Sequence, residues 1–159
     1  MNSATESTAT PANAPAGRDG ELLEAYHRTV WSVELPATTV EVRLNGTPAD
    51  PQLSPGGIVT AYNPASVAGS PEQNREADQE LLRHVRSLGI PFRRVTARGE
   101  GEWEEPGFYL LGHVRPLLVE LGLVFGQNAV VWVDESGAGS LVCTRAGFAG
   151  RLPGQKIDL

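Results

Sequence analysis

Polar side chains gather at three places along this 159-residue chain, each at the end of a predicted helix or strand. Loops at such ends present binding groups while the regular elements hold them in place. The three clusters comprise Tyr62, Asn63, Ser66 and Ser70; Trp103, Glu104 and Glu105; and Gln127 and Asn128. These positions predict where a site would lie, but the residue types do not indicate one particular reaction.

The first cluster lies in the segment TAYNPASVAGS. The Asn63 amide, the Ser66 hydroxyl and the N–H groups at the start of the next helix suit a small polar or anionic ligand. Asn-Pro and Ser-Pro are also common turn starters, and Ser66 and Ser70 can bond to the backbone locally. A turn is therefore the simpler interpretation, with ligand binding as the alternative.

Two residues of the next helix extend this cluster. Asn74 falls on the apolar stripe of the helix, where a core residue would be expected. A buried amide must be hydrogen-bonded, so a backbone partner and a ligand explain Asn74 equally well. Arg75, beside it, is a candidate anion contact, although most surface arginines are solvated charges.

The second cluster offers acid–base chemistry, because two carboxylates in different environments can divide the roles of acid and base. Glu104 and Glu105 are adjacent, and adjacent residues of an extended segment point to opposite faces. We therefore predict that only Glu105 faces a common site, as a general base. An acidic turn is the simpler interpretation of this glutamate-rich stretch.

The remaining polar and aromatic residues of the clusters complete a candidate ligand site. Gln127 and Asn128 follow Gly126, and they either cap a helix end or bind a ligand. Trp103 or Tyr62 would supply a stacking surface. Together with Asn63 and Asn74, these groups predict a polar pocket for a small molecule, with a nucleotide-like or phosphorylated compound as the candidate ligand.

Metal and cofactor signatures are missing from the sequence. His27, His84 and His113 share no metal-ligand spacing with one another or with Cys143. Cys143 lies in an apolar stretch, where cysteine acts as a small hydrophobe rather than a nucleophile. No phosphate-cradling or dinucleotide-binding glycine motif occurs. We predict no metal site and no cofactor, and the sequence does not decide whether the chain is an enzyme.

Hydrophobic periodicity predicts the elements that position these clusters. ELLEAYHRTV predicts a helix capped by Asp19, and Ser70, Pro71 and Gln73 form the capping box of a second helix that ends near Gly89. RPLLVELGLVFGQ predicts a third helix, apolar nearly all round and therefore heavily buried. The predicted strands are TVWSVEL, TTVEVRLNG, IVTAY, PFRRVTA, FYLLGHV, NAVVWVD and SLVCTR, whereas RGEGEWEEPG reads as a charged turn.

Strands that are clustered and joined by short connections favour an α+β fold over a parallel three-layer fold. We predict a mostly antiparallel sheet with two to three helices packed on it, forming one domain over residues 19–150. Residues 1–18 contain Ser, Thr, Ala and Pro without an apolar run and predict a disordered tail. Residues 151–159 are expected to form an irregular C-terminal segment.

The net charge limits which classes of partner this chain can bind by general electrostatic attraction. The formal net charge of -6 argues against a general electrostatic grip on nucleic acid or on an anionic membrane. The arginine-rich stretch 83–98 is a local exception, but four glutamates follow it directly. No segment has the length of a membrane span or the pattern of a secretory signal, so we expect a cytoplasmic protein with no membrane partner.

The clusters resemble an uncharacterised bacterial family of unknown function. Its pattern reads TA[WY]NPxS, then SxxxN on a helix, then WxEESF, then FGQNA. The matches here are TAYNPAS, Ser70 with Asn74, Trp103 with Glu105 and Phe108, and FGQNA. The resemblance implies that these positions form one set, although Pro106 and Gly107 replace the second Glu and the Ser of the pattern.

Two functions from different classes follow. The first is small-molecule binding in one polar pocket. The alternative is a protein-interaction or regulatory module without catalytic activity, in which the same amides are buried hydrogen bonds that specify the fold. The sequence names neither the ligand, nor a protein partner, nor the oligomeric state.

Overall fold

Segments rich in valine and aromatic residues form one eight-stranded, curled sheet in the computed structural model, which describes residues 17–159. Its strands are β1 (Val30–Glu34), β2 (Thr39–Arg43), β3 (Gly56–Val59), β4 (Phe92–Arg98), β5 (Glu104–Leu111), β6 (Ala129–Val133), β7 (Gly139–Cys143) and β8 (Lys156–Ile157). The order across the sheet is β2-β1-β4-β5-β3-β6-β7-β8, with each neighbouring pair of described strands antiparallel. With the three helices α1 (Arg18–Arg28), α2 (Pro71–Ser87) and α3 (Arg115–Val124), the predicted α+β fold is confirmed.

Both faces of the middle of the sheet are buried. Successive side chains of a strand point to opposite sides, so one strand contributes residues to both cores. Ile58 belongs to the core on one side of the sheet and Val59 to the core on the other. Helix α1 contributes Leu23 to the first core, which we call the α1 face. Helices α2 and α3 contribute Leu81 and Leu118 to the second core, the α2–α3 face.

The local signals for α2 act as predicted. The Ser70 Oγ accepts a hydrogen bond from the N–H of Gln73 at 3.1 Å, and Gln73 Oε1 accepts from the N–H of Ser70 at 3.1 Å. Pro71 occupies the first helical position, where its missing N–H costs nothing. This capping box fixes the start of α2 and therefore the position of the loop that precedes it.

The start of α1 differs from the prediction. The helix begins at Arg18, with Gly17 at the N-cap and no side-chain cap hydrogen bond, so the predicted Asp19 cap is wrong. The Asp19 carboxylate lies in the first turn and instead accepts a hydrogen bond from the N–H of Ala149 at 2.9 Å. Of the predicted tail, Arg18 belongs to α1, and residues 1–16 lie outside the described residues.

The predicted charged turn before the fifth strand is wrong in its second half. Strand β5 begins at Glu104, so residues 104–107 are extended and pair with β4. Charge composition suggested a turn, but Arg98 Nε donates to Glu104 Oε1 across the two strands at 2.9 Å and offsets that charge. Pro106 is tolerated because it lies beyond the residues of β5 that pair with β3.

One further expectation is corrected in the C-terminal half of the chain. The sequence predicts heavy burial of α3, but Leu123 and Val124 are 49% and 63% exposed because only one side of α3 meets the sheet. Within the segment 151–159, strand β8 pairs with β7 and buries Ile157.

Candidate ligand-binding cavity

A cavity of about 540 Å³ lies on the α1 face, between helix α1 and the sheet. Its volume falls within the range of small-molecule sites, roughly 300–1,000 Å³. Much of its lining is apolar and comes from the strands, and includes Trp31, Ile58, Val95, Ala97, Val131 and Leu141. Polar side chains line the part where strands β3, β5 and β6 begin or end.

Six of the predicted site residues line this cavity: Tyr62, Asn63, Ser66, Trp103, Glu105 and Gln127. Strand pairing brings the three clusters together. Strand β3 pairs antiparallel with β5 on one side and β6 on the other, so its C-terminal end lies beside the starts of both. The loop after β3, the segment before β5 and the segment before β6 therefore meet at one edge of the cavity.

Asn63 organises the loop after β3. It has φ 47°, in the left-handed region that asparagine tolerates better than most residues. Its N–H donates to Asn74 Oδ1 at 3.0 Å, and Asn74 Nδ2 donates to Asn63 Oδ1 at 2.8 Å. The same oxygen of Asn63 accepts from the N–H of Gly69 at 3.0 Å. The Nδ2 group of Asn63 therefore points elsewhere, toward Glu105.

Glu105 is the half-buried carboxylate of the cavity. Asn63 Nδ2 donates to its Oε1 at 2.7 Å. No hydrogen bond from residues 17–159 reaches its second oxygen. Burial raises the pKa of Glu105 above its ordinary value, and the hydrogen bond from Asn63 opposes that rise. Glu104 is exposed and paired with Arg98, so only one of the two glutamates faces the cavity.

Tyr26 of α1 is a cavity residue whose part in a site the sequence did not reveal. Burial raises the pKa of Tyr26 to about 12, and the negative charge of Glu105 adds to the rise, while the Ser66 hydroxyl and Arg145 oppose it. The phenol therefore stays protonated near neutral pH and can donate a hydrogen bond. The sequence gives Tyr26 only as a residue of the first predicted helix. The available signal was its hydroxyl, which needs a partner when buried.

Gln127 closes the end of α3 and reaches the cavity. The N–H of Gln127 donates to Gly122 O at 2.8 Å, and Gly126 adopts φ 67°, which is a Schellman ending. The side-chain Nε2 of Gln127 donates to Tyr62 O at 3.1 Å and to Phe125 O at 3.2 Å. Gln127 thus ties the loop after β3 to the end of α3.

Asn128 lies behind the cavity and holds Ser66 in place. It is 1% exposed, and its Nδ2 donates to Ser66 Oγ at 2.9 Å. Its Oδ1 accepts from Arg145 Nε at 2.6 Å. Asn128 does not line the cavity, and neither does Asn74, which is 7% exposed. Both amides support residues that do.

Ser70 and Arg75 lie apart from the cavity. Ser70 caps α2, as described above. Arg75 is exposed on α2, and it is not among the residues that line the cavity. The structure therefore does not bring Arg75 together with the other candidate residues.

Gly107 lines the cavity where the resembling family pattern has a serine. A Cβ atom added here would lie 2.7 Å from Val59 O and 3.3 Å from Thr60 Cβ. The close approach of β3 to β5 thus favours glycine at this position in this chain.

Residues 17–159 contain neither a metal-ligating cluster of side chains nor a membrane-spanning helix. No group of three or more His, Cys, Asp or Glu side chains there is placed to hold a metal ion. Within the same residues, no helix has both the length and the apolar character that crossing a membrane requires. Cys143 is buried in β7, and burial raises the pKa of its thiol.

The polar edge of the cavity lies within the part of the chain that matches a known family model. Residues 59–130 match the model of a family described as "Protein of unknown function (DUF3293)". Comparison of the chain with curated proteins and with solved structures gives no match. The matched range runs from the end of β3 to the start of β6, whereas α1 and β1, which also line the cavity, lie outside it. Over that range the chain is similar to a family of unknown function, and all ten predicted site residues fall within it.

Proposed function

We propose that this chain binds a small organic molecule in the cavity between α1 and the sheet, with Glu105 as the principal hydrogen-bonding group. The observation that carries the proposal is the environment of Glu105. Its carboxylate lines an apolar cavity of ligand size, and one of its oxygens has no hydrogen-bond donor among residues 17–159.

A buried charge without a full set of partners destabilises a fold, and such groups concentrate at functional sites. A glutamate with a purely structural role would be paired fully, as Asp78 is by the two nitrogens of Arg94 at 2.9 and 2.7 Å. Among residues 17–159, Glu105 has only Asn63 as a hydrogen-bond partner. The difference supports a role for Glu105 in accepting a hydrogen bond from a ligand.

The surroundings of Glu105 are held rigidly, which favours binding because little ordering is left for the ligand to impose. Asn63 is fixed in a left-handed conformation by Asn74 and Gly69. Ser66 is fixed by Asn128. Were the chain an enzyme, Glu105 would be its general base, because a raised pKa brings a carboxylate closer to working pH.

The alternative of a protein-interaction module requires the same amides to be paired in a closed core. Asn74 and Asn128 meet that description. Asn63, Glu105 and Gln127 line an open cavity instead. This contrast favours ligand binding for the set as a whole.

A thermal-shift screen with a cavity-blocking variant tests the proposal. Ala25 lines the cavity from the exposed side of α1, so Ala25→Trp places an indole in its mouth. His27→Trp is the matched control, since His27 is exposed on the same helix and does not line this cavity. The panel contains nucleotides, sugar phosphates, amino acids, amines and neutral heterocycles.

A true cavity ligand raises the melting temperature of the wild type and of His27→Trp, but not that of Ala25→Trp. At one hundred times its Kd, a ligand adds about 2.7 kcal/mol to the free energy of unfolding. Equal shifts for all three proteins would place binding outside the cavity. A panel without any shift would count against the proposal itself.

A further inference from the structure

We infer that the cavity takes an organic cation, an ammonium group carried on an apolar or aromatic body, rather than a phosphorylated compound. The inference rests on the proposed function and names its ligand class. Three features of the cavity carry it: its aromatic residues, its charges and the state of the nearby backbone N–H groups.

The aromatic residues of the cavity are those that attract cations best. Two of the three tryptophans and two of the three tyrosines of the chain line it, while none of the four phenylalanines does. These residues are Tyr26, Trp31, Tyr62 and Trp103. The faces of indole and phenol rings carry negative potential, and cages of such rings bind ammonium groups.

Trp103 lies at the entrance of the cavity. It is 42% exposed, and its indole lies against Gly99, where an added Cβ atom would come within 2.9 Å of Trp103 Cε3. The N–H of Gly99 donates to Trp103 O at 3.4 Å. The absence of a side chain at Gly99 thus allows the indole to lie over the cavity entrance.

The charges of the cavity are mainly negative. Three carboxylates and one guanidinium line it, namely Glu21, Glu100, Glu105 and Arg28, which gives a formal charge of minus two. Arg28 donates to Glu100 Oε1 at 2.7 Å and to Glu24 Oε2 at 3.1 Å, so its charge is already paired. These carboxylates would repel a phosphate group, whereas the half-buried Glu105 would attract an ammonium group.

Backbone N–H groups beside the polar edge of the cavity are hydrogen-bonded to side chains of the chain itself. The N–H of Asn63 is bonded to Asn74, and the N–H of Gly69 is bonded to Asn63. At the start of α2, the N–H of Gln73 is bonded to its capping serine. These three N–H groups are therefore already bonded to side chains and are not available to a phosphate.

A set of three probes with one body and three charges tests the inference. The probes are 2-phenylethylammonium, 2-phenylethanol and 2-phenylethyl phosphate. Binding is followed by the indole N–H resonances in a two-dimensional NMR spectrum. Trp31 and Trp103 line the cavity, whereas Trp132 packs on the α2–α3 face and serves as the internal control.

We expect the ammonium probe to shift the Trp31 and Trp103 resonances and to bind at least ten-fold more tightly than the alcohol, with the phosphate weakest. Glu105→Gln should weaken the ammonium probe about ten-fold and change the alcohol less than two-fold. Glu102→Gln alters the net charge equally at an exposed residue outside the cavity, and it should leave all affinities within two-fold.

Each other outcome has a defined meaning. Equal affinity for the ammonium and the alcohol, or tighter binding of the phosphate, overturns the cation inference while leaving cavity binding intact. Probe binding that survives Ala25→Trp, or that shifts only Trp132, instead refutes binding in the cavity. If no probe shifts Trp31 or Trp103, the cation inference fails, and the broad ligand panel decides the proposed function separately.

Discussion

Replacement of Asn74 by alanine should separate a buried supporting amide from its exposed neighbour on α2. The change removes two hydrogen bonds to Asn63, at 3.0 and 2.8 Å, and leaves the N–H of Asn63 without its partner. An unsatisfied buried donor costs about 1–3 kcal/mol, and each lost hydrogen bond roughly 0.5–1.5 kcal/mol. Alanine recovers about 0.5 kcal/mol through its higher helix propensity. Counting the penalty for the unsatisfied Asn63 N–H and one further lost hydrogen bond, we expect a net loss of about 1–4 kcal/mol.

Arg75→Ala is the matched control. Arg75 is adjacent and exposed, and arginine and alanine are both good helix formers, so this change should stay within about 0.5 kcal/mol. Urea unfolding of both variants, followed by circular dichroism, gives the two free energies of unfolding at equal slope.

A loss of under about 1 kcal/mol for Asn74→Ala would refute the role assigned to the Asn63–Asn74 pair, because the loop would then not depend on it. Equal losses for the two variants would show that the effect belongs to the helix rather than to the hydrogen bonds.

Three further predictions concern the edge of the cavity. Because burial gives Glu105 a raised pKa, the folded state holds its proton more tightly than the unfolded chain, so the wild type loses stability as pH rises from about 4.3, the ordinary pKa of glutamate, through the raised value. Glu105→Gln should therefore gain stability over the wild type as pH rises through that interval, as thermal unfolding measured over a range of pH would reveal. A difference that is constant with pH would contradict this. Asn63→Gly keeps the left-handed backbone but removes the hydrogen bond that lowers the pKa of Glu105, so the pKa measured by NMR titration of its carboxyl carbon should rise; no rise would exclude that bond in solution. Gly107→Ala places a Cβ atom 2.7 Å from Val59 O and should cost about 1–3 kcal/mol in urea unfolding, whereas an unchanged midpoint would show that β3 and β5 can separate there.

Local signals were sufficient wherever a short segment sets its own structure. The capping box of α2 and the glycine that ends α3 were predictable because each depends on residues within one helical turn. The prediction of an Asp19 cap on α1 was wrong for the opposite reason, since the Asp19 carboxylate accepts a hydrogen bond from Ala149, 130 residues away. Residues 104–107 were misread because their extended form depends on pairing with β4.

For the candidate site, the residue types predicted where polar clusters lie in the chain, but they did not predict which residues contact one another. The three clusters were recognisable as element ends, and six of their members line one cavity. The phosphorylated ligand suggested by Arg75 and the helix-start N–H groups has little support, since Arg75 lies outside the cavity. Tyr26 and Trp31 were missed because a helical stripe or a strand pattern gives the buried side of an element without showing that this side meets empty space.

The amino-acid sequence by itself determined the kind of fold, most of its elements and the three groups of polar residues. Periodicity and capping are local, so a single chain displays them directly. Only the tertiary structure decided that these groups share an edge, that Glu105 is half-buried with one amide partner, and that α1 covers the cavity. Strand order in a sheet and the burial of a charge depend on contacts between residues far apart in the chain, and spacing along the sequence does not encode them.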